Sequence, residues 1–580
     1  MTPVRPRRLR ATLAIGLLAL LVQPVSSSVA APPPNGSTWY ETYVTTPDGE
    51  SLHVDVMRPV GLTDADKTPV ILVVSPYLGM TGLQEAPGPS NRFNDFFEGA
   101  KVFERGYSVV MVSLRGTGGS SGCLDILGPG EQTDVRTAVE FARTQPWSTG
   151  KVGMYGKSYD ANTGAAAAAM GPVGLEAIVA QAIAPDRYRG SYNDRVRLFQ
   201  SLVYPSATYG TQGEGTFSTQ SDPEYIVNSV SHSADCQAGL AEHYLDDESR
   251  HFWRVRDFVD RARNSTVPTF ITAGYLDNPT NIGAGALDLY NSLTGPKKLW
   301  IGWWDHVRGN DMAGGRLAMG REGFFDEVMR FLDHHVKGLP LEEAPTHLDP
   351  TIAAQGSDGT WRSEEQWPPV DAQTLEGSLL SGTYEDDGRN RGSADTSFGP
   401  GGAGSVQPLQ GHGTWTFSPP LEHEAHIGGI PKATLQVDPE VPNTNVVVNL
   451  YDVDLEGRAT LISRGAALTD AVMNGAGLQD VLLWPTDWVF EPGHRIGVLV
   501  SGANQDAYTH VPTRTTVGVL GGKVNLPFLT FERVSDLQGE SAPRLDTYLT
   551  RAPFNVAATT ITERTNADFA LPPPLQDRPA

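Results

Sequence analysis

The sequence predicts an α/β protein in which helices cover both faces of a mostly parallel sheet, followed by an all-β domain. Continuous apolar runs, typical of strands buried on both faces, alternate with segments of helical spacing up to about residue 340. The segment 186–262 interrupts this alternation, and from about residue 350 short strands separated by Gly, Pro and Asn turns replace it. We therefore expect an α/β domain over residues 31–345 and a β-sandwich over residues 346–570.

The elements of the α/β domain follow in order. Residues 40–57 alternate apolar and polar side chains around a central Asp-Gly pair, which predicts a β-hairpin. Helical spacing marks residues 131–143 and 321–336, and small residues predict a helix that continues over Ala165–Met170. The apolar runs predicted to be buried strands are Val70–Val74, Val109–Val112, Val152–Tyr155, Ala177–Ala182, Thr269–Ala273 and Leu299–Trp303. Strands that alternate with helices in this way imply a parallel sheet.

The segment 186–262 is rich in Tyr, Arg, Asp, Asn and Gln and carries no strand signal. We interpret it as a helical cap over the C-terminal edge of the sheet, where α/β folds bind their ligands. The strands predicted in the second domain include Ala433–Val437, Val446–Asp452, Ile496–Ser501 and Pro527–Val534. Residues 382–414 are rich in Gly, Ser and Asp, which indicates a long loop.

Composition excludes several classes of protein. Of the 580 residues 39% are hydrophobic and only 19% are charged, which supplies large cores and excludes a charge-rich disordered chain. A formal net charge of −23 argues against nucleic acid and against anionic lipid as partners. Two cysteines are too few for a cysteine-ligated zinc ribbon or iron–sulfur cluster.

The two ends of the chain resemble an export signal and a tail. Residues 1–30 combine an arginine-rich start, an apolar stretch over Ala11–Val22 and small residues where a signal peptidase could cut. An N-terminal membrane anchor is the alternative, but the stretch is short for a membrane span. The sequence around Arg7-Arg8 fits a twin-arginine signal only loosely, so the general secretory route is favoured. We expect a secreted protein, off the membrane once the signal is removed, with a disordered tail over residues 571–580.

Two cysteines in an exported protein most simply form one disulfide. Export places Cys123 and Cys236 in an oxidising compartment, which predicts a bridge between them. Two buried free thiols are the alternative. Neither cysteine is predicted to be catalytic.

Ser158 is the candidate nucleophile. The strand Val152–Tyr155 meets Gly156-Lys157-Ser158, and a helix of small residues follows. Such a strand–turn–helix can hold a serine at a sharp elbow with its hydroxyl exposed, and a side chain at Gly156 would crowd the turn. The full elbow pattern has Gly two residues after the serine, where Asp160 stands here. A plain helix N-cap is the alternative role for Ser158.

Asp277 and His306 are the candidate partners of the serine. Asp277 follows the strand Thr269–Ala273, and His306 follows the strand Leu299–Trp303, so both lie just past strand ends. The order Ser, Asp, His is that of α/β-hydrolases. Asp277 could instead be a turn residue, and His306 a structural one. Asp305 is the rival acid, but a residue adjacent to the histidine rarely reaches its Nδ1 atom.

An acyl-transfer reaction also needs donors for the oxyanion. The backbone N–H of Tyr159, directly after the nucleophile, is the first candidate. The second should come from the loop after the strand Val70–Val74, where Tyr77 offers a phenolic hydroxyl. From composition alone Tyr77 could equally be a packing residue.

In these and further motifs the chain resembles the X-prolyl dipeptidyl-peptidase/cocaine-esterase (CocE/NonD) family of α/β-hydrolase serine hydrolases. The motifs that carry the resemblance are Pro47-Asp48-Gly49, Val54–Pro59, Ser75-Pro76-Tyr77, Gly106–Val110, Arg115–Gly122, Glu131–Asp134, Gln145-Pro146-Trp147, Gly153–Tyr159, Gly274 with Asp277, His306 and Phe331–Gly338. The resemblance implies an α/β-hydrolase core, a C-terminal jelly roll, the catalytic set Ser158, Asp277 and His306, Tyr77 as hydroxyl donor, and no cofactor. The family has Gly three residues after the serine, where Ala161 stands here.

The resemblance implies that the substrate is a small peptide or an ester. A dipeptidyl-peptidase needs a carboxylate for the free amine of its substrate; the acids in the cap that could supply it are Asp186, Asp194, Glu214, Asp222 and Glu224. A carboxylesterase or amidase needs only an apolar pocket, which Trp253, Trp303 and Trp304 could line. We favour the dipeptidyl-peptidase because the Gly156–Tyr159 and Arg115–Cys123 segments resemble those of exported X-prolyl peptidases. A carbohydrate- or cell-wall-binding module on a degenerate hydrolase scaffold is the alternative of another class, and the sequence leaves the oligomeric state open.

Overall fold

The structure is a computed structural model of the 580-residue chain. It describes residues 32–79, 88–199, 201, 223–231, 241–277, 280, 282–341, 350–387, 412–469, 476–504 and 507–578. The predicted export signal over residues 1–30 therefore lies outside the described residues. So do residues 388–411, which make up most of the predicted loop 382–414. In the described part of the chain, no helix is both long and apolar enough to span a membrane.

A largely parallel sheet forms the N-terminal domain. The strands up to residue 364 are β1 (Ser37–Thr45), β2 (Ser51–Pro59), β3 (Thr68–Ser75), β4 (Ser108–Ser113), β5 (Ser148–Lys157), β6 (Leu175–Gln181), β7 (Tyr192–Asn193), β8 (Val196–Arg197), β9 (Thr269–Gly274), β10 (Lys297–Gly302), β11 (Met312–Ala313), β12 (Arg316–Leu317), β13 (Ile352–Gln355) and β14 (Trp361–Glu364). Within the described residues, ten of them pair in the order β1-β2-β4-β3-β5-β6-β9-β10-β13-β14. The hairpin β1–β2 and the apolar strands are where the sequence predicts them. The side chains of β2, β3 and β4 are buried on both faces, as their apolar runs indicate.

Helices cover this sheet and form part of the cap. Those described are α1 (Asn94–Gly99), α2 (Pro129–Thr144), α3 (Tyr159–Met170), α4 (Pro223–Ser231), α5 (His251–Arg254), α6 (Phe258–Arg261), α7 (Ala286–Ser292) and α8 (Phe324–His335), with a 3₁₀ turn over Ile282–Ala284. Helix α3 packs against β5 and β6, and its alanines let it approach the sheet closely. The predicted helices over 131–143 and 321–336 are confirmed as α2 and α8.

The predicted helical cap is less helical than expected where it is described. Between residues 186 and 262 the structure has the short helices α4 to α6 and the two-residue strands β7 and β8. The β7–β8 hairpin reaches into the second domain, since the Asn193 side chain accepts hydrogen bonds from the Ala466 N–H and the Tyr508 hydroxyl. These polar contacts anchor the described part of the cap to the second domain.

The second domain is a β-sandwich. Its strands are β15 (Gln373–Leu379), β16 (Gly382–Glu385), β17 (Gly413–Phe417), β18 (Ala425–Gly429), β19 (Lys432–Pro439), β20 (Asn445–Val453), β21 (Arg458–Leu468), β22 (Gly477–Leu482), β23 (Thr486–Phe490), β24 (Arg495–Ser501), β25 (Thr516–Phe528) and β26 (Phe554–Asn555). Among the described residues they form a seven-stranded and a five-stranded sheet, and β21 contacts strands of the other sheet. Two helices follow, α9 (Pro543–Arg551) and α10 (Ala558–Glu563), which the strand pattern did not predict.

The structure differs in three details from what the sequence pattern led us to expect for the C-terminal half. Strands β13 and β14 lie beyond the predicted boundary at 345/346, yet β13 pairs in parallel with β10 and extends the first sheet to Glu364. The strand predicted over Pro527–Val534 ends at Phe528. The tail is described as far as Arg578 and is not frayed, because the Gln576 N–H donates to the Thr530 carbonyl. Short segments gain such partners only from the tertiary fold, which the local pattern does not contain.

Candidate active site

Three parallel strands bring the candidate catalytic residues to one edge of the sheet. Ser158 directly follows β5, Asp277 lies three residues beyond β9, and His306 lies four residues beyond β10. Strand β6 separates β5 from β9, and β9 is next to β10, with all of these pairings parallel. The carboxyl ends of parallel strands share one edge, so all three residues lie at that edge of the sheet.

Ser158 occupies a strained elbow. Its φ is 66° and its ψ is −121°, an uncommon conformation for a residue with a side chain. The chain turns sharply here from β5 into α3. A Cβ atom at Gly156 would lie 2.4 Å from the backbone carbon and oxygen of Asp160, so only glycine fits there. Ala161 is buried, and its methyl group joins the hydrophobic core.

His306 is paired with Asp277. Its Nδ1 atom lies 3.0 Å from each carboxylate oxygen of Asp277. The hydroxyl and the N–H of Thr280 also donate to this carboxylate, at 2.6 and 3.2 Å. Burial raises the pKa of Asp277, but the charge of His306 and the hydrogen bonds from His306 and Thr280 outweigh it, so the pKa lies below its usual value. Asp277 is therefore an ionised acceptor at neutral pH.

The rival acid Asp305 points elsewhere. Its carboxylate lies 3.8 Å from Nε of Arg544, and burial raises its pKa. Of the two acids weighed from the sequence, Asp277 is the one that contacts the histidine.

Tyr159 and Tyr77 lie beside the elbow. Tyr159 is the first residue of α3, so its N–H lies at the positive end of the helix dipole. Its hydroxyl donates to the Glu131 carboxylate at 2.6 Å and accepts from the Leu127 N–H at 3.0 Å. Tyr77 is buried, and its ring meets that of Tyr159 edge-on with centroids 6.3 Å apart. The side chains of the two residues that carry the candidate oxyanion donors are therefore in contact.

Glu131 is a residue whose link to the site the sequence did not indicate. It is fully buried in α2 and accepts hydrogen bonds from the N–H groups of Asp125 and Leu127 as well as from Tyr159. Burial raises its pKa to about 8, and the charge of Asp125 adds to this shift. A Glu three residues before an Asp gives no local signal for this contact.

Other residues of the sequence motifs link separate elements of the fold. The Arg115 guanidinium pairs with Asp134 at 2.7 Å and with Asp48 at 2.9 Å. These contacts join the β1–β2 turn, the loop after β4 and helix α2.

The acids proposed to read a substrate amine are engaged elsewhere or lie outside the described residues. Asp186 is buried and accepts from the Arg189 N–H at 3.0 Å, Asp194 accepts from Gln479, and Glu224 accepts from Ser51 at 2.8 Å. Glu214 and Asp222 lie outside the described residues. The tryptophans proposed for an acyl pocket, Trp253, Trp303 and Trp304, are all buried among other aromatic rings.

The predicted disulfide is not tested, because Cys236 lies outside the described residues.

Across the part of the chain that is described, no group of three or more His, Cys, Asp or Glu side chains could hold a metal ion. A cavity of about 440 Å³ lies between the cap and the sandwich, lined by Tyr188, Glu248 and Trp484 among others. None of the three candidate catalytic residues lines it.

Comparison with known proteins supplies the family. Residues 48–308 match the X-Pro dipeptidyl-peptidase (S15) family, and residues 346–544 match the X-Pro dipeptidyl-peptidase C-terminal non-catalytic domain. A putative Xaa-Pro dipeptidyl-peptidase of Bacillus cereus is 25% identical over 83% of this chain and 87% of that protein. The cocaine esterase of a Rhodococcus species is 26% identical over 80% of this chain and 90% of that protein.

Solved structures show the same fold. An α-amino acid ester hydrolase superposes with a TM-score of 0.65 at 17% identity, covering 88% of this chain and 100% of that one. A CocE/NonD family hydrolase from Staphylococcus aureus superposes with a TM-score of 0.62 at 16% identity, covering 85% and 94% of the two chains. The protein is an α/β-hydrolase with a β-rich C-terminal domain and belongs to the X-prolyl dipeptidyl-peptidase/cocaine-esterase family of serine hydrolases.

Proposed function

We propose that this serine hydrolase releases X-Pro dipeptides from the amino termini of peptides, with Ser158 as nucleophile, His306 as base and Asp277 as its orienting acid. The observation that carries the catalytic assignment is the His306–Asp277 pair at the same sheet edge as the strained Ser158 elbow. The two family matches, over residues 48–308 and 346–544, support the peptidase activity.

The geometry fits acyl transfer in two steps. Because Nδ1 of His306 faces Asp277, Nε2 is the nitrogen that takes the Ser158 proton as Oγ attacks the substrate carbonyl. The Tyr159 N–H and the Tyr77 hydroxyl stabilise the oxyanion. Collapse of the tetrahedral intermediate breaks the C–N bond, and His306 returns the proton to the leaving amine. Water, deprotonated by His306, then hydrolyses the acyl-enzyme and releases the dipeptide.

A carboxylesterase without an amine requirement is the second candidate. Two observations favour it: the cocaine esterase is as similar to this chain as the peptidases are, and the cap acids Asp186, Asp194 and Glu224 are engaged with other groups. A peptidase would need its amine reader among residues not yet assigned.

Turnover of Gly-Pro-p-nitroanilide beside p-nitrophenyl butyrate separates the two candidates. We expect Ser158-dependent cleavage of the anilide, with Ser158→Ala as blank. Cleavage of the ester alone would assign the esterase. Turnover retained by Ser158→Ala would remove Ser158 from the mechanism, whichever substrate is cleaved.

We also propose that the protein is exported and carries a Cys123–Cys236 disulfide. The arginine-rich and apolar start of the chain supports export, and an oxidising destination supports the bridge. Mass analysis of the secreted protein should find an amino terminus near residue 31. Non-reducing peptide mapping should find the two cysteines linked, whereas two alkylated thiols would exclude the bridge.

A further inference from the structure

Asp160 replaces the glycine expected two residues after the nucleophile, and the structure shows what it binds. Its side chain is fully buried, and its Oδ2 lies 2.5 Å from Nε of Arg92. Burial raises the pKa of Asp160, while the Arg92 charge lowers it. A carboxylate buried at a nucleophile elbow is costly unless it is paired, so the pair calls for a role.

Arg92 connects this carboxylate to Tyr77. The guanidinium carbon lies 4.1 Å from the centroid of the Tyr77 ring. A guanidinium nitrogen also lies 3.3 Å from the carbonyl oxygen of Lys157, the residue before the nucleophile. The Arg92 side chain is only 14% exposed, so these contacts are partly shielded from water. Arg92 is therefore held by both sides of the elbow and presents its charge to the face of Tyr77.

A cation over a phenol ring has two effects on the hydroxyl. It fixes the plane of the ring, because a guanidinium is attracted to the aromatic face, and more strongly when the pair is shielded from water. It also stabilises negative charge on the phenolic oxygen, which makes the O–H a stronger hydrogen-bond donor. Both effects matter most when the substrate carbonyl becomes an oxyanion.

We propose that Asp160 and Arg92 are positioning residues of the oxyanion hole: Asp160 holds Arg92, and Arg92 orients and polarises the hydroxyl of Tyr77. The proposal rests on the proposed acyl-transfer function and extends it. It also assigns a role to Asp160, the residue at which this sequence departs from the usual elbow pattern.

A double-mutant cycle in Arg92 and Tyr77 tests the coupling. Tyr77→Phe should lower kcat by about 10²–10³-fold. Arg92→Gln should lower kcat by about tenfold or more with little change in KM, because it acts only on the transition state. In the Tyr77→Phe background the same substitution should lower kcat by less than about threefold, since its target is gone. Arg92→Lys, which keeps charge but loses the planar fork, should fall between wild type and Arg92→Gln.

Two further variants separate this role from a structural one. Arg92→Gln leaves Asp160 buried without its cation, so Asp160→Asn/Arg92→Gln removes both charges and guards against unfolding. The paired variant should keep the kcat deficit of Arg92→Gln. Arg105→Gln, which breaks a more exposed ion pair to Asp333 at 3.0 Å outside the site, is the control and should leave kcat unchanged.

Three results would overturn the proposal: an equal kcat loss from Arg92→Gln in both Tyr77 backgrounds, a kcat restored by the paired variant, or a rise in KM alone. None of them affects Ser158 as nucleophile, which Ser158→Ala tests separately. A Tyr77→Phe loss below tenfold would return Tyr77 to packing and overturn the proposal with it.

Discussion

The edge of the parallel sheet and the cap above it differ in how their polar side chains are used. At the sheet edge, Asp277 contacts His306, and the buried Asp160 holds a cation against Tyr77. In the cap, Asp186 and Asp194 bond to neighbouring protein groups. The sheet edge thus carries the candidate catalytic residues, whereas Asp194 ties the cap to the second domain.

The largest effect on turnover is expected from a substitution of the candidate acid Asp277. Asp277→Asn should lower kcat by about 10³–10⁴-fold, because the amide no longer fixes the imidazole tautomer or stabilises its cation. Asp305→Asn is the matched control, since Asp305 faces Arg544 rather than the histidine, and its kcat should stay within about threefold. Steady-state turnover of either chromogenic substrate measures both. A larger loss from the Asp305 variant would exchange the two roles.

A second test addresses the Tyr159 side chain. Tyr159→Phe removes the hydroxyl that Glu131 and Leu127 bind, but it leaves the backbone N–H in place. We expect kcat to fall by about three- to tenfold with KM unchanged, since the N–H is only reoriented. The measurement is kcat and KM on the ester, with melting temperature as the control for folding. A loss as large as that of Tyr77→Phe would mean that the hydroxyl itself acts on the substrate.

Whether the cap recognises a free amine can be tested by comparing substrates. If the protein reads a free amine, Glu214→Gln or Asp222→Asn should raise KM for Gly-Pro-p-nitroanilide by about tenfold and leave butyrate turnover unchanged. Glu224→Gln is the control, because Glu224 accepts from Ser51 instead. KM is measured in parallel for Gly-Pro-p-nitroanilide and for its N-acetylated form, which lacks the free amine. If no cap variant affects the anilide selectively, the amine-reading hypothesis for this segment is wrong.

The sequence predicted most of the sheet edge because strand ends are local features. The buried strands, the glycine at Gly156 and the order of Ser158, Asp277 and His306 follow from short patterns, and the structure places each as expected. The contacts that link Arg92 to Asp160 and Glu131 to Tyr159 join residues 68 and 28 positions apart. No periodicity encodes such pairs. For the same reason the sequence did not predict that β13 pairs with β10 or that Gln576 bonds to Thr530, since these partners are distant in sequence.

The smallest effect we predict concerns Glu131 and pH. Burial and Asp125 raise its folded pKa from 4.5 to about 8, so folding favours the protonated form. The folded state then binds more protons than the unfolded state between these values, and stability falls as pH rises through this window. Glu131→Gln mimics the neutral acid: its amide can donate to the Tyr159 hydroxyl and its carbonyl can accept from the Asp125 N–H.

The melting temperature of Glu131→Gln should therefore decline less between about pH 5 and pH 8 than that of the wild type, with kcat within about threefold. Part of the decline in melting temperature should remain in this variant, because burial also raises the pKa of Asp134 to about 6. Glu140→Gln, an exposed position on the same helix, should leave the wild-type slope intact. If the two glutamine variants share one slope, Glu131 is ionised in the folded protein, and the three hydrogen bonds it accepts outweigh its burial.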